Sequence, residues 1–238
     1  MRGTVWWDFD GTLAHRRGIW VSALQAALEE VAPGYPMTAD HLRPFLTYGF
    51  PWHEPDVLHP ELDDAEDWWT HQIEVIRHAY VDAGLSLDLA QRAAAHVREA
   101  FLDPRAWALL PGAMEALELT RDAGMRNLIV SNHVPELPEI IEFMGLGGWV
   151  DFVVNSAAYG AEKPNPHLFA IAMNHSVPGA PIWMVGDNPI ADIDGAAAIG
   201  VPGILVQGYA PNGSELTALD AAERILADAA EPAAAVGS

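Results

Sequence analysis

Four polar clusters in this 238-residue chain combine the residue types that phosphoryl chemistry requires. Asp8 and Asp10 stand two apart in Asp8-Phe9-Asp10-Gly11-Thr12, Ser131-Asn132 come far downstream, then Lys163, then Asp187-Asn188 with Asp192. Moving a phosphoryl group takes a nucleophile, a proton shuttle, donors for the phosphoryl oxygens and cations to balance the charge. A carboxylate can be the covalent nucleophile, which suits Asp8. Asp10 points a different way as the chain leaves a strand and can act first as acid and then as base. Gly11 permits a tight turn, and Thr12 can cap the next segment. Thr12, Ser131, Asn132 and Lys163 form the expected phosphate-binding set, with Lys163 also facing developing charge. Convergent carboxylates do not all ionise cheaply without a cation, so a hard divalent ion is implied. Asp8 and Asp187 are its natural ligands with Asp10 close by, and Asp192 touches the ion or stands one step behind it.

Each cluster needs an element to position it. A short strand over Thr4 to Trp7 leads to Asp8, Leu128-Ile129-Val130 to Ser131, Phe152-Val153-Val154 to the loop with Lys163, and Ile182 to Val185 to Asp187. Helical patterns separate these runs: one ends near Gly124, one covers Glu136 to Met144, one starts at Asn165-Pro166, and one spans Ile190 to Ile199. A further strand over Ile204 to Val206 and a last helix from a Ser214 cap to about Ala229 complete the pattern. Strands alternating with helices imply an α/β fold with a parallel sheet covered on both faces, and such sheets bind ligands at the carboxyl ends of their strands. Between about His15 and Arg105 the pattern is helical, with no convincing strand. Leu24, Leu28 and Val31 mark one helix there, and Trp69, Ile73, Ile76 and Tyr80 another. Leu89, Ala93, Val97 and Phe101 lie behind a Ser86 cap. The expected organisation is a core of residues 1–14 and 106–230, an inserted helical cap of 15–105, and a flexible tail of 231–238.

Composition narrows the function classes. A formal charge of −21 repels nucleic-acid backbones, so no nucleic-acid partner is expected. No apolar run reaches the roughly 18 residues that span a bilayer, so no membrane partner is expected either. The N-terminus is too short and too quickly acidic for a signal peptide. With no cysteine there is neither a disulfide framework nor a thiolate metal site, and a cytoplasmic enzyme, monomer or homodimer, fits best. Of the twelve basic residues Lys163 is the only lysine. A general preference for arginine would make that meaningless, whereas a site needing a compact ammonium would make it functional. Composition weighs the two evenly.

Taken one at a time, Asp-x-Asp-Gly, Ser-Asn and Gly-Asp are more often turns and caps than sites. Their joint placement after apolar strands is what defeats that reading. The four stretches resemble those of the haloacid dehalogenase-like (HAD) hydrolase superfamily. They read Asp8-Phe9-Asp10-Gly11-Thr12-Leu13, Val130-Ser131-Asn132, Glu162-Lys163-Pro164-Asn165-Pro166, and Gly186-Asp187 onward through Asp192 to Ala196. The resemblance implies a Rossmann-like core with a helical cap. It makes Asp8 the nucleophile and Asp10 the general acid/base, with a backbone carbonyl on magnesium. Ser131 and Lys163 would hold the phosphoryl group and Asp187 would complete the metal site, which decides for a functional Lys163. True dehalogenases of this superfamily generally lack the second aspartate and need no metal, so Asp10 favours a phosphatase acting on a small phosphorylated metabolite. The alternatives are a phosphomutase, which shares all four stretches, a 2-haloacid dehalogenase, and a non-catalytic binding protein on the same core.

Within the cap, Arg16 and Arg17 beside His15 suit an anionic substrate, although solvated hinge residues are the commoner case. Trp52 and His53 either reach the site or pack their loop. Trp68 and Trp69 are adjacent, so at most one is expected to face the cap core.

Overall fold

The computed structural model describes residues 2–62, 64–208 and 211–230; the tail assigned to 231–238 lies outside them. Its centre is a five-stranded parallel sheet in the order β5-β4-β1-β6-β7, formed by β1 (Thr4–Trp7), β4 (Arg126–Ser131), β5 (Phe152–Asn155), β6 (Ile182–Gly186) and β7 (Gly203–Leu205). Every residue of β1 is buried, as a central strand covered on both faces demands. Thr4 pairs with Arg126 on one side and with Ile182 on the other. Alternation along β1 sends Trp6 and Trp7 to opposite faces. Trp6 stacks on Phe169 and donates its indole N–H to Ser176 Oγ at 2.9 Å, while Trp7 donates to Asn127 Oδ1 at 3.1 Å. Helices α6 (Ala113–Asp122), α7 (Leu137–Phe143), α8 (Ser156–Tyr159), α9 (Pro166–His175), α10 (Gly195–Ala198) and α11 (Ala218–Ala230) cover the sheet. The chain builds β4 and β5 to one side of β1 and β6 and β7 to the other, which puts the topological switch point at the end of β1.

Among the described residues five α-helices lie between β1 and α6: α1 (Ile19–Val31), α2 (Ala39–Leu42), α3 (Ala65–Asp82), α4 (Leu87–Ala95) and α5 (Val97–Leu102). The Ser86 cap is present, its hydroxyl accepting from Leu89 N–H. The expected absence of strands between about His15 and Arg105 fails at the N-terminal edge, where a strand runs to Arg16. β2 (Ala14–Arg16) and β3 (Trp107–Leu109) pair antiparallel and form a two-stranded ribbon where the block joins the sheet. Three residues each are too few to show a periodicity, so only their meeting in space reveals them.

Four other expectations shift. The run behind Ser86 breaks at His96 into α4 and α5. The last helix starts at Ala218 rather than at Ser214. Thr217 and Asp220 cap it reciprocally, while Ser214 Oγ donates to Leu205 O at 2.8 Å and accepts from Leu216 N–H. β7 begins one residue early. Trp68 and Trp69 are both buried, because α3 packs on two sides: Trp69 donates its indole N–H to the Glu136 carboxylate beyond the block, and the Trp20 ring lies against both.

Candidate active site

The ends of β1, β4 and β6 converge with the loop after α8 on one cavity of about 510 Å³. Asp8 leaves the end of β1 almost fully buried. Its Oδ1 accepts from Ser131 Oγ at 2.9 Å and from Lys163 Nζ at 2.7 Å. Lys163 Nζ also donates to Asp192 Oδ1 at 2.6 Å, so the single lysine sits between two carboxylates. Burial alone would push this ammonium down, but Asp192 and Asp8 outweigh burial and raise its pKa, so it stays charged. The Lys163 loop is fixed by Asn132, whose side chain accepts from Lys163 N–H at 2.7 Å and donates to its carbonyl at 3.0 Å. Asn132 thus lines the cavity, with its amide engaged in holding the lysine.

Asp192 reaches Lys163 through an unusual turn. A single helix was expected over Ile190 to Ile199, but Pro189–Asp194 winds as a wide π turn before α10. Asp192 N–H and Ile193 N–H both bond to Asn188 O, which widens the turn and tucks the Asp192 carboxylate inward. Its Oδ2 accepts from Asn188 N–H at 2.9 Å. With both oxygens held by donors, Asp192 braces Lys163.

Asp8, Asp187 and Asp192 each bring a carboxylate oxygen within 4.8 Å of the other two, a grouping that can hold a metal ion. Burial, and then the Asp8 and Asp192 charges, push Asp187 up to about 7. Asp192 is pushed up to about 6, by burial above all, against the lowering pull of Lys163. The backbone makes room for this crowding: a Cβ on Gly11, whose φ is +87°, or on Gly208 would strike the Asp187 carboxylate, and one on Gly186 would strike Asp192. Crowded carboxylates in a glycine cradle are a donor set that fits a hard divalent cation.

Asp10 also lines the cavity, and its buried Oδ1 lacks a hydrogen-bond partner among the described residues. Burial, then Asp8 and Asp187, raise its pKa well above the usual carboxylate range. Beside it stands a residue that sequence reasoning missed. His133 Nε2 lies 3.5 Å from Asp10 Oδ2, an approach rather than a formed hydrogen bond. The imidazole is buried among Phe9, Phe101 and Trp107, and burial pushes it down to about 4, so it is neutral. Its place directly after Ser131-Asn132 at a strand end was the available signal. Thr12 is buried but absent from the cavity lining; its Oγ1 has no partner among the described residues, and the strand β2 comes after it rather than a helix to cap.

The cap residues separate in the same way. Arg16 is only 2% exposed, and its guanidinium donates to the carbonyls of Phe101, Ile19 and Ala100 and to Ser22 Oγ, so it ties α1 to α5. Arg17 is exposed and does not line the cavity. Trp52 does line it, together with Trp20 and Phe101, whereas His53 bonds back to Phe50 N–H.

A parallel sheet with carboxylates at its switch point and a buried lysine between two of them is a candidate catalytic site of an α/β protein. The chain matches the family model for haloacid dehalogenase-like hydrolases over residues 3–200, and it belongs to that family. It is 33% identical over 149 residues to mouse haloacid dehalogenase-like hydrolase domain-containing protein 3, covering 62% of this chain and 58% of that protein. It is 34% identical over 145 residues to a phosphoserine phosphatase of Thermus thermophilus, covering 59% and 57% respectively. These matches thus span less than two thirds of either relative. Among solved structures, a 2-haloacid dehalogenase from Pseudomonas syringae pv. Tomato DC3000 superposes with a TM-score of 0.63 at 25% identity, covering 96% of this chain and 99% of that one. A HAD phosphatase from Thermococcus onnurineus shares the fold, with a TM-score of 0.57 at 20% identity over 93% and 97%. Among the described residues no helix is long and apolar enough to cross a membrane.

Proposed function

We propose that this chain hydrolyses small phosphate monoesters through an aspartyl-phosphate on Asp8, with Mg2+ as its cofactor. The observation that carries this reading is Asp10: a second carboxylate lining the cavity with Asp8, its pKa raised so that it can hold a proton. A halide leaves without taking a proton, so dehalogenation needs no such acid, and the likeness to a dehalogenase structure does not decide the activity.

Asp8 attacks phosphorus while the bond to the leaving oxygen breaks. Asp10 gives its proton to that oxygen, so the alcohol departs neutral. Asp10, now a carboxylate, takes a proton from water as the water oxygen attacks the aspartyl-phosphate. The bond between phosphorus and Asp8 then breaks, and inorganic phosphate leaves. Ser131 Oγ and Lys163 Nζ, which meet at Asp8 Oδ1, are suited to holding the phosphoryl oxygens, and Asp192 keeps Lys163 aimed there. Asp8 and Asp187 would hold Mg2+ beside the Asp10 carbonyl. The ion would neutralise charge on the phosphoryl group and relieve the repulsion among the carboxylates. Residues 15–105 serve as the cap and 1–14 with 106–230 as the catalytic core.

The test measures phosphate release from a panel of monoesters beside chloride release from a 2-chloro acid, with and without a chelator. Phosphate release that stops on chelation is expected. Chelator-resistant chloride release in its place would make the chain a dehalogenase.

A further inference from the structure

The cavity lining joins charged side chains around Asp8 and Lys163 to a set of uncharged, largely apolar ones. The apolar part of the lining includes Ile19 and Trp20 from α1, Trp52 from the loop before α3, Phe101 from α5, and Val134 and Ile190 from the sheet side. Trp20 stacks on Phe101 with ring centres 4.4 Å apart and planes 28° apart, and lies 5.9 Å from Trp52 at 30°. These rings form a tilted series from Trp52 through Trp20 to Phe101, whose ring edge meets His133 beside Asp10. Ile190 is 66% exposed at the rim, an apolar side chain left in water where a ligand would cover it.

Charge on this lining is as telling as its shape. Among the described residues Lys163 is the only lysine or arginine that lines the cavity, and it is held between Asp8 and Asp192. Arg16, the nearest arginine in sequence to the cap wall, has its donors on backbone carbonyls and Ser22. A second carboxylate or phosphate on the substrate would therefore enter an acidic protein through an aromatic mouth and meet no cation of the described lining.

Resting on the phosphatase reading, we infer that the leaving group is uncharged and apolar and carries an aromatic ring that packs against Trp20 and Trp52. The preferred substrate is then an arylalkyl monoester, and phosphorylated acids are poor substrates.

The experiment compares kcat/KM for 2-phenylethyl phosphate, phosphoserine, phosphoglycolate and phosphocholine in the presence of Mg2+. All four release an ordinary alcohol, so intrinsic reactivity does not mask recognition. The phenylethyl ester should lead by about tenfold or more, the contribution of one buried ring. Trp52→Ala should shrink that lead. Ile190→Arg, a change on an exposed side chain that leaves the core intact, should raise kcat/KM for phosphoglycolate relative to the phenylethyl ester. Equal values across the panel, or a lead for phosphoserine or phosphoglycolate, would overturn the inference and leave the phosphatase reading standing. A lead for phosphocholine would overturn the aromatic assignment in favour of a cation held by the rings. Failure of all four esters to release phosphate would count against the phosphatase reading instead. Calorimetric binding of the same esters to the Asp8→Asn protein then still reads the pocket, and tighter binding of phosphoglycolate than of the phenylethyl ester would sink the assignment.

Discussion

The floor and the ceiling of this cavity are built on opposite principles. The floor is polar and fully specified: Lys163 between Asp8 and Asp192, Ser131 on Asp8, and Asn132 gripping the lysine backbone from both sides. The Lys163 ammonium is met by two carboxylates, because a buried charge without its partner is costly. The ceiling is apolar and held by packing: Trp20 touches Phe50, Trp52, Trp68, Trp69 and Phe101 at once. Rings exchange neighbours at modest cost, so such a wall can be reshaped without disturbing the floor. Chemistry is thus fixed by directional contacts and selectivity by surface shape.

The two halves meet at a seam that can be broken separately from either. Glu136, at the start of α7, accepts from Trp69 Nε1 at 3.0 Å and from Arg98 Nε at 2.9 Å. Below it, His59 N–H donates to Gly160 O at 2.7 Å and Asn165 Nδ2 to Pro55 O at 2.9 Å. A Cβ at Gly160 would run into the His59 carbonyl, so this crossing depends on glycine.

The sharpest way to separate floor from ceiling is Asp8→Asn. Turnover should fall by at least about a thousandfold with the thermal midpoint retained, because the nucleophile is lost while the volume is kept. Near-normal turnover in that variant would remove Asp8 from the chemistry. Next comes the seam. Glu136→Ala should destabilise by about 1–2 kcal/mol in urea unfolding, since it leaves the buried Trp69 N–H without its acceptor. A null effect there would mean the two halves stay together through packing alone.

The smallest effect is a pH dependence that belongs to the floor. Asp187 and Asp192 are raised to about 7 and about 6, so without an ion the folded state binds more protons than the unfolded chain between the ordinary carboxylate range and about 7. Stability of the chelated protein therefore falls as pH rises through that window, by on the order of 1 kcal/mol, and Mg2+ should remove the fall. Asp187→Asn should flatten the chelated profile relative to the parent, which isolates the site from the self-repulsion of an acidic surface. Matching slopes in the two proteins would show that the carboxylates do not press on one another.

Much of the floor could be read from the sequence. Strand β1 and the β4–Ser131 and β6–Asp187 junctions announce themselves because apolar runs that end in a short polar pair are local patterns. Lys163 stood out as the sole lysine. The functional meaning of these residues came from their joint order along the chain. The partners came only from three dimensions. Asp192 lies 29 positions from Lys163 and reaches it through a π turn that no periodicity signals. Nothing local to His133 says that the ring beside it belongs to Phe101 on α5. Arg16 suits a hinge facing solvent or substrate by its sequence, yet it is a buried tie between helices, since its carbonyl partners on α5 lie more than 80 residues away. The adjacent pair Trp68 and Trp69 was expected to divide between core and water, and both are buried because α3 has neighbours on two sides.

The sequence by itself determined the alternation of strands and helices, the identity of the polar residues at the strand ends, and the family to which they belong, because these rest on local spacing. Tertiary structure alone decided which carboxylate braces the lysine, which arginine is unavailable to a ligand, and which rings roof the cavity. Those outcomes depend on contacts between distant segments, and chain order does not encode the distance at which two side chains finally meet.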